Sequence, residues 1–271
     1  MAIAKIFKLA NIYIILVFYF LAGIIWGSFL GVIVERLIYQ KNKWQLDLFS
    51  RSHCLSCGHQ LGLIDLTPLF SFIVLKGKCR YCQKPISWIV FLVEIYSGIL
   101  FISSYFAFGF NLNFIFAVVL GSVLGIILFY DLKANLVPDP LILILGLLFI
   151  VKLIFNLEPY FFDLSSFWQP ILGALISASF FFLIHFLTRG RGMGLGDAKL
   201  GLVLGLFLGV KLSFFMLWLA FLIGAVFAII MLILKLKKRT DTIAFAPFLV
   251  VAFLIIYFLP SLAEIISTLS L

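Results

Sequence analysis

The four cysteines of the chain form two pairs, Cys54-x2-Cys57 and Cys79-x2-Cys82, inside one polar stretch. A Cys-x2-Cys turn presents two thiolates from a single knuckle, and a second knuckle completes a tetrahedral zinc site that keeps no open position, which makes it structural. Gly58 after the first knuckle and Gly77 before the second suit tight turns. Two disulfides and unpaired thiols are the competing readings, and a reducing compartment disfavours the first. His53 and His59 flank the first knuckle and are available as substitute ligands.

Acid–base chemistry would fall to the carboxylates, of which there are only 11. Asp131 lies in Phe129-Tyr130-Asp131-Leu132-Lys133, and Asp197 in Gly194-Leu195-Gly196-Asp197-Ala198-Lys199. Two carboxylates that share one proton can split the work of amide hydrolysis: one acts as general base on water while the other, protonated, polarises the scissile amide. Solvated helix-end charges, a helix cap at Asp197, and a proton or ion relay that also uses Glu94 are the alternatives, and the relay would make the chain a transporter. Asp139, in Val137-Pro138-Asp139-Pro140, is expected to cap a helix with Pro140 at its first position.

These residues need a scaffold, and composition names it. The chain has 271 residues, 65% apolar and only 11% charged, whereas soluble domains are about 45–50% apolar and about 25% charged. Soluble, disordered and fibrous classes are excluded, leaving an all-α polytopic membrane protein in a lipid bilayer. Apolar runs predict about eight spans, near 11–33, 88–110, 113–130, 139–157, 168–188, 199–210, 212–234 and 244–262. The first reads as a permanent span rather than a cleavable signal. The sixth carries Gly201, Gly205 and Gly209 and is expected to be tilted, broken, or packed through small residues. The domains expected are a first span over 1–33, a tetracysteine module over 34–87 and a seven-span core over 88–271. No internal repeat is evident.

The net charge of +9 marks loops rather than a nucleic-acid partner. Eight spans put 16 of the 20 basic residues on one side, including Arg36, Arg80, Lys133, Arg191, Lys199 and Arg239. The positive-inside rule then assigns that side, with the cysteine module, to the cytoplasm and both termini to the outside. Lys152 falls within a span, where its stem would snorkel. Asp131 and Asp197 emerge at one face at similar depth and are candidates to meet.

Taken together, the motifs resemble the type IV prepilin peptidases, membrane aspartic proteases of the GxGD type. The resemblance runs over nearly the whole chain: Gly27-Ser28-Phe29-Leu30 with Arg36, the two knuckles with Asp65, Pro68-Leu69 and Lys76-Gly77-Lys78-Cys79-Arg80, Leu92-Val93-Glu94, Asp131 with Pro138-Asp139, Gly194-Leu195-Gly196-Asp197-Ala198-Lys199-Leu200, and Ala246-Pro247-Phe248-Leu249. It implies an eight-span peptidase of the bacterial inner membrane whose catalytic aspartates are Asp131 and Asp197. The implied substrates are prepilins and pseudopilins, cut after a Gly where a basic leader meets an apolar helix, at the cytoplasmic membrane face. It also implies methylation of the new N-terminus from S-adenosylmethionine, a role associated with the cysteine-bearing region. Gly31, Leu66, Ala244 and Ala246 depart from the family pattern, and none of them is expected to touch the aspartate pair.

Overall fold

The computed structural model describes residues 2–39, 52–54, 56–62, 64–157, 168–190, 193–236 and 243–259. Lys41, Lys43, Arg51, Arg191, Lys237, Lys238 and Arg239, and the acids Asp47, Glu158, Asp163, Asp241 and Glu264, lie outside the described residues. The chain forms two compact units, Met1–Gly109 and Phe110–Leu271.

The first unit holds α1 (Ala2–Tyr39), the five-residue α2 (Phe70–Val74) and α3 (Trp88–Phe108). Gly23, Gly27 and Gly31 repeat every fourth residue, so they line one stripe of α1. Along α3 they face Ser97 and Gly98, then Glu94, then Val90. Ascending residues on one helix against descending residues on the other make the pair antiparallel. An added Cβ at Gly23 would come within 2.5 Å of the Ser97 carbonyl, so this small-residue seam sets how closely the backbones approach. α1 continues past the expected end at 33, because no Gly or Pro interrupts residues 32–39, and it carries Glu35 and Arg36 on helix. Ser87 caps α3, its side chain accepting the Ile89 N–H.

Between α1 and α3 the two cysteine knuckles adopt one local fold twice. The Cys54 N–H donates to the His59 carbonyl and the Cys79 N–H to the Lys84 carbonyl, both at 2.9 Å. Isolated bridges pair His53 with Gln60 and Lys78 with Pro85, at the same offsets from the leading cysteine. A short structural repeat is therefore present where sequence inspection finds none. It is carried by backbone turns whose side chains differ: Gly58 and Gln83 hold the equivalent left-handed position.

The second unit comprises α4 (Leu112–Ala134), α5 (Asp139–Ile154), α6 (Trp168–Leu187), α7 (Leu195–Ile233) and α8 (Ala246–Phe258). α7 is not straight: Gly209 has φ 71° and ψ −172°. Gly201 packs on Phe181, and Phe221 meets the ring of the adjacent Phe180 at 5.6 Å. In a continuous helix, residues 201 and 221 would stand about 30 Å apart. The chain doubles back at Gly209, so the expected sixth and seventh spans are two arms of one hairpin. The first arm also packs through small residues, with Gly205 against the Gly173 backbone of α6.

With α7 counted as two arms, the long apolar segments among the described residues follow the eight expected runs. Five helices are long and apolar enough to cross a membrane by themselves, α1 (over Tyr13–Ile38), α3, α4, α6 and α7, and α8 is a shorter apolar helix. Lys152 does not snorkel outward. Its side chain is buried, with Nζ 5.6 Å from the centroid of the Phe207 ring.

Candidate active site and cysteine cluster

Asp131 sits in the last turn of α4, which ends where Asn135 turns left-handed and donates its N–H to the Asp131 carbonyl. Asp197 lies in the first turn of α7, behind an N-cap at Gly194. The Asp197 N–H donates to the Gly194 carbonyl at 3.3 Å, and the Gly194 N–H donates back to the Asp197 carboxylate. Asp197 is thus not the cap itself but the third helical residue reaching back to the cap, half of a capping box. The Asp131 carboxylate accepts the N–H of Ala246, the first residue of α8, so Ala246, expected to lie clear of the aspartate pair, touches it through its backbone. Each carboxylate therefore occupies a helix N-terminus, where unpaired N–H groups and the helix dipole favour negative charge.

The two aspartates are 4% and 9% exposed, and each carboxylate lies close enough for Asp197 to act electrostatically on Asp131. What brings their segments together is the α4–α5 loop. An added Cβ at Gly196 would stand 3.1 Å from the Val137 Cβ, so glycine at 196 is what lets the loop following Asp131 rest on the turn that carries Asp197. Asp139 does not cap α5. Pro138 holds the N-cap position without a side-chain hydrogen bond, and Asp139 is the first helical residue. Its carboxylate instead pairs with Lys199 Nζ at 2.7 Å.

Backbone donors at Gly194 and Ala246 carry no side-chain signature, so sequence reading could reach them only through the family motifs around them. His185 at the end of α6 is also part of the surroundings: its Nδ1 lies 2.8 Å from the Met193 carbonyl oxygen.

In the first unit the four cysteine sulfurs lie within 4.8 Å of one another, with Cys54 and Cys82 Sγ 3.9 Å apart. A tetrahedron with metal–sulfur bonds of about 2.3 Å has sulfurs about 3.8 Å apart, whereas a disulfide needs about 2.05 Å. The cysteines are not joined by disulfides, and their arrangement could hold one metal ion. Burial pushes the Cys54 thiol up, but hydrogen bonds from the Ser56 and Cys57 backbone and from the Cys57 and Cys79 side chains outweigh it and bring the thiol down to about 7. The Lys84 N–H favours the Cys82 thiolate, but burial and the three neighbouring thiols prevail and push Cys82 up to about 11. His59 is not part of the cluster; its ring lies against Tyr81 at 3.6 Å. Asp65 links the two knuckles, accepting from the Gly62 N–H at 3.2 Å and the Tyr81 hydroxyl at 3.1 Å and pairing with Arg80 at 3.0 Å.

Glu94 on α3 is 5% exposed. It accepts the Leu69 N–H at 2.7 Å and a hydrogen bond from Ser28 of α1, so one carboxylate fastens both α1 and the segment ahead of α2 to α3. A cavity of about 500 Å³ opens beside it, lined by Glu35, Phe72, Arg80, Val90, Phe91 and Glu94 among others. Its lining carries both signs of charge, Arg36, Arg80 and Lys84 beside the carboxylates, and the volume is that of a small-molecule site.

Residues 21–108 match the bacterial peptidase A24 N-terminal domain, and residues 118–229 match the type IV leader peptidase family. The chain is 32% identical over 260 residues to a prepilin leader peptidase/N-methyltransferase of Aeromonas hydrophila, covering 86% of this chain and 87% of that one. It is 32% identical over 264 residues to the protein of that name from Xanthomonas campestris pv. campestris, with 87% and 88% covered. It is 30% identical over 254 residues to that of Pseudomonas aeruginosa, with 86% of each covered. No solved structure matches the chain. With both family models matched in order and relatives covered over most of their length, the chain belongs to the type IV leader peptidase family.

Proposed function

We propose that this peptidase removes the basic leader from type IV prepilins and pseudopilins, with Asp131 and Asp197 as its catalytic pair. The observation that carries the reading is the meeting of two buried carboxylates from α4 and α7, each held by a backbone N–H at a helix N-terminus. Two like charges near enough to interact favour protonation of one member of the pair. The ionised member takes a proton from water as it attacks the scissile carbonyl carbon, and the protonated member hydrogen-bonds the carbonyl oxygen. The tetrahedral species then collapses, the C–N bond breaks, and the amine leaves with a proton returned from the pair.

The names of the relatives support prepilin substrates. The family pattern supports cleavage after a Gly. The sorting of 16 of 20 basic residues supports a multi-pass protein of the bacterial inner membrane. In that orientation the module of residues 34–87 is cytoplasmic and the aspartates act at the cytoplasmic membrane face.

The metal held by Cys54, Cys57, Cys79 and Cys82 is zinc, matched by four thiolates at tetrahedral spacing. It closes the two knuckles into one fold. The N-methyltransferase half of the relatives' name supports a second step that uses S-adenosylmethionine. That donor supplies an electrophilic methyl on a sulfonium. The cavity beside Glu94 is large enough for such a donor, with Glu35 and the rings of Phe72 and Phe91 available to its sulfonium and Arg36, Arg80 and Lys84 to its carboxylate.

Asp131→Asn and Asp197→Asn, assayed separately on a prepilin in membranes, test the pair. Each is expected to abolish cleavage, and retained cleavage by either overturns the assignment. A mass spectrum of the wild-type product reads the cut site and any added methyl group.

A further inference from the structure

The Met193 carbonyl and the Gly194 N–H are the two polar ends of one peptide group. The peptide is planar and trans, so they point in opposite directions and turn together. The carbonyl end lies 2.8 Å from His185 Nδ1, and the N–H end donates to the Asp197 carboxylate. A carbonyl oxygen has no proton to give, so Nδ1 is the donor, which sets the tautomer whenever the ring is neutral. The order is therefore His185 Nδ1–H to Met193 C=O, then Gly194 N–H to Asp197, two hydrogen bonds running the same way through a single peptide. Bonds aligned in this way polarise each other.

The ring is itself held. Gly190 has φ 75° and donates its N–H to the His185 carbonyl at 2.8 Å. A Cβ at Gly190 would lie 3.2 Å from the His185 ring, so the turn that ends α6 closes over the imidazole.

We propose that His185 is a positioning residue for Asp197, fixing the Met193–Gly194 peptide so that its N–H stays on that carboxylate. The inference rests on the reading of Asp197 as catalytic. In this role His185 acts through the peptide.

The geometry singles out one nitrogen, and that makes the test specific. The side-chain amide nitrogen of Asn reaches the place of Nδ1, whereas that of Gln reaches the place of Nε2. His185→Asn, His185→Gln and His185→Leu are assayed in the full-length protein in membranes on a prepilin, with kcat and KM separated and the thermal midpoint recorded. Gln and Leu are expected to lower kcat about tenfold with KM unchanged, and Asn to restore most of that loss. Equal loss in Asn and Gln, a change in KM alone, or full activity in Leu overturns the proposal. If Leu fails to fold, the Asn and Gln pair decides. Cleavage retained by Asp197→Asn overturns the catalytic pair and this inference with it. Loss in Asp197→Asn beside full activity in His185→Leu overturns this inference alone.

Discussion

Lys199 and Asp139 join the N-terminus of α7 to that of α5 through a 2.7 Å contact between Nζ and Oδ1. Lys199 follows Asp197 by two residues, and Asp139 begins the helix after the loop from Asp131, so the pair ties together segments adjoining the two aspartates. Both side chains are more than half exposed, 52% and 66%. Exposed pairs contribute about 0–1 kcal/mol and weaken with salt. A double-mutant cycle of Lys199→Ala and Asp139→Ala, read by thermal unfolding in detergent, is expected to give a coupling in that range, falling as salt rises. A coupling of several kcal/mol would contradict an exposed bridge.

Glu94 is a different kind of contact. It is buried and accepts from two elements of its unit. Truncation to Ala leaves the Leu69 N–H without an acceptor, at a cost of about 1–3 kcal/mol. Glu94→Gln keeps a carbonyl oxygen for that N–H. Glu94→Ala is expected to expose the segment ahead of α2 to limited proteolysis, with Gln close to wild type. Equal protection in both variants would remove the clamp.

The thiol pattern gives a pH prediction for metal-stripped protein. The thiolate is the nucleophile, so alkylation rises as pH passes the thiol's own value. Cys54, whose thiol its neighbours lower, is expected to be modified at lower pH than Cys82, whose thiol they raise. Zinc, at about one ion per chain, is expected to protect all four, and to be lost as acid protonates the thiolates. Identical profiles for Cys54 and Cys82 would refute the asymmetry between the knuckles.

Much of the second unit could be read from apolar runs, because helices that need roughly 20 apolar residues announce themselves in composition. The convergence of Asp131 and Asp197 was likewise readable from which loops share a side. Their partners were hidden for physical reasons. The Gly194 and Ala246 donors are backbone groups, and His185 acts on a carbonyl eight residues on. Asp139 misleads because Pro140 follows it and proline favours the first helical position. The chain instead caps with Pro138, whose φ of −70° and ψ of 123° leave the helix to start one residue earlier. The doubled knuckle was invisible because the repeat is one of turns rather than of residue types.

The hairpin at Gly209 also bears on the surrounding lipid. Its first arm, residues 195–208, is about 21 Å long at 1.5 Å per residue, and α8 has only 13 residues. A relaxed hydrocarbon core is about 30 Å thick. The two helix N-termini that cradle the carboxylates thus begin elements shorter than that core, and a short element is accommodated by thinned lipid, by snorkelling flanking residues or by association with neighbouring helices. Thinned lipid beside these arms would widen the approach of water to a pair of acids that the protein itself keeps almost fully covered.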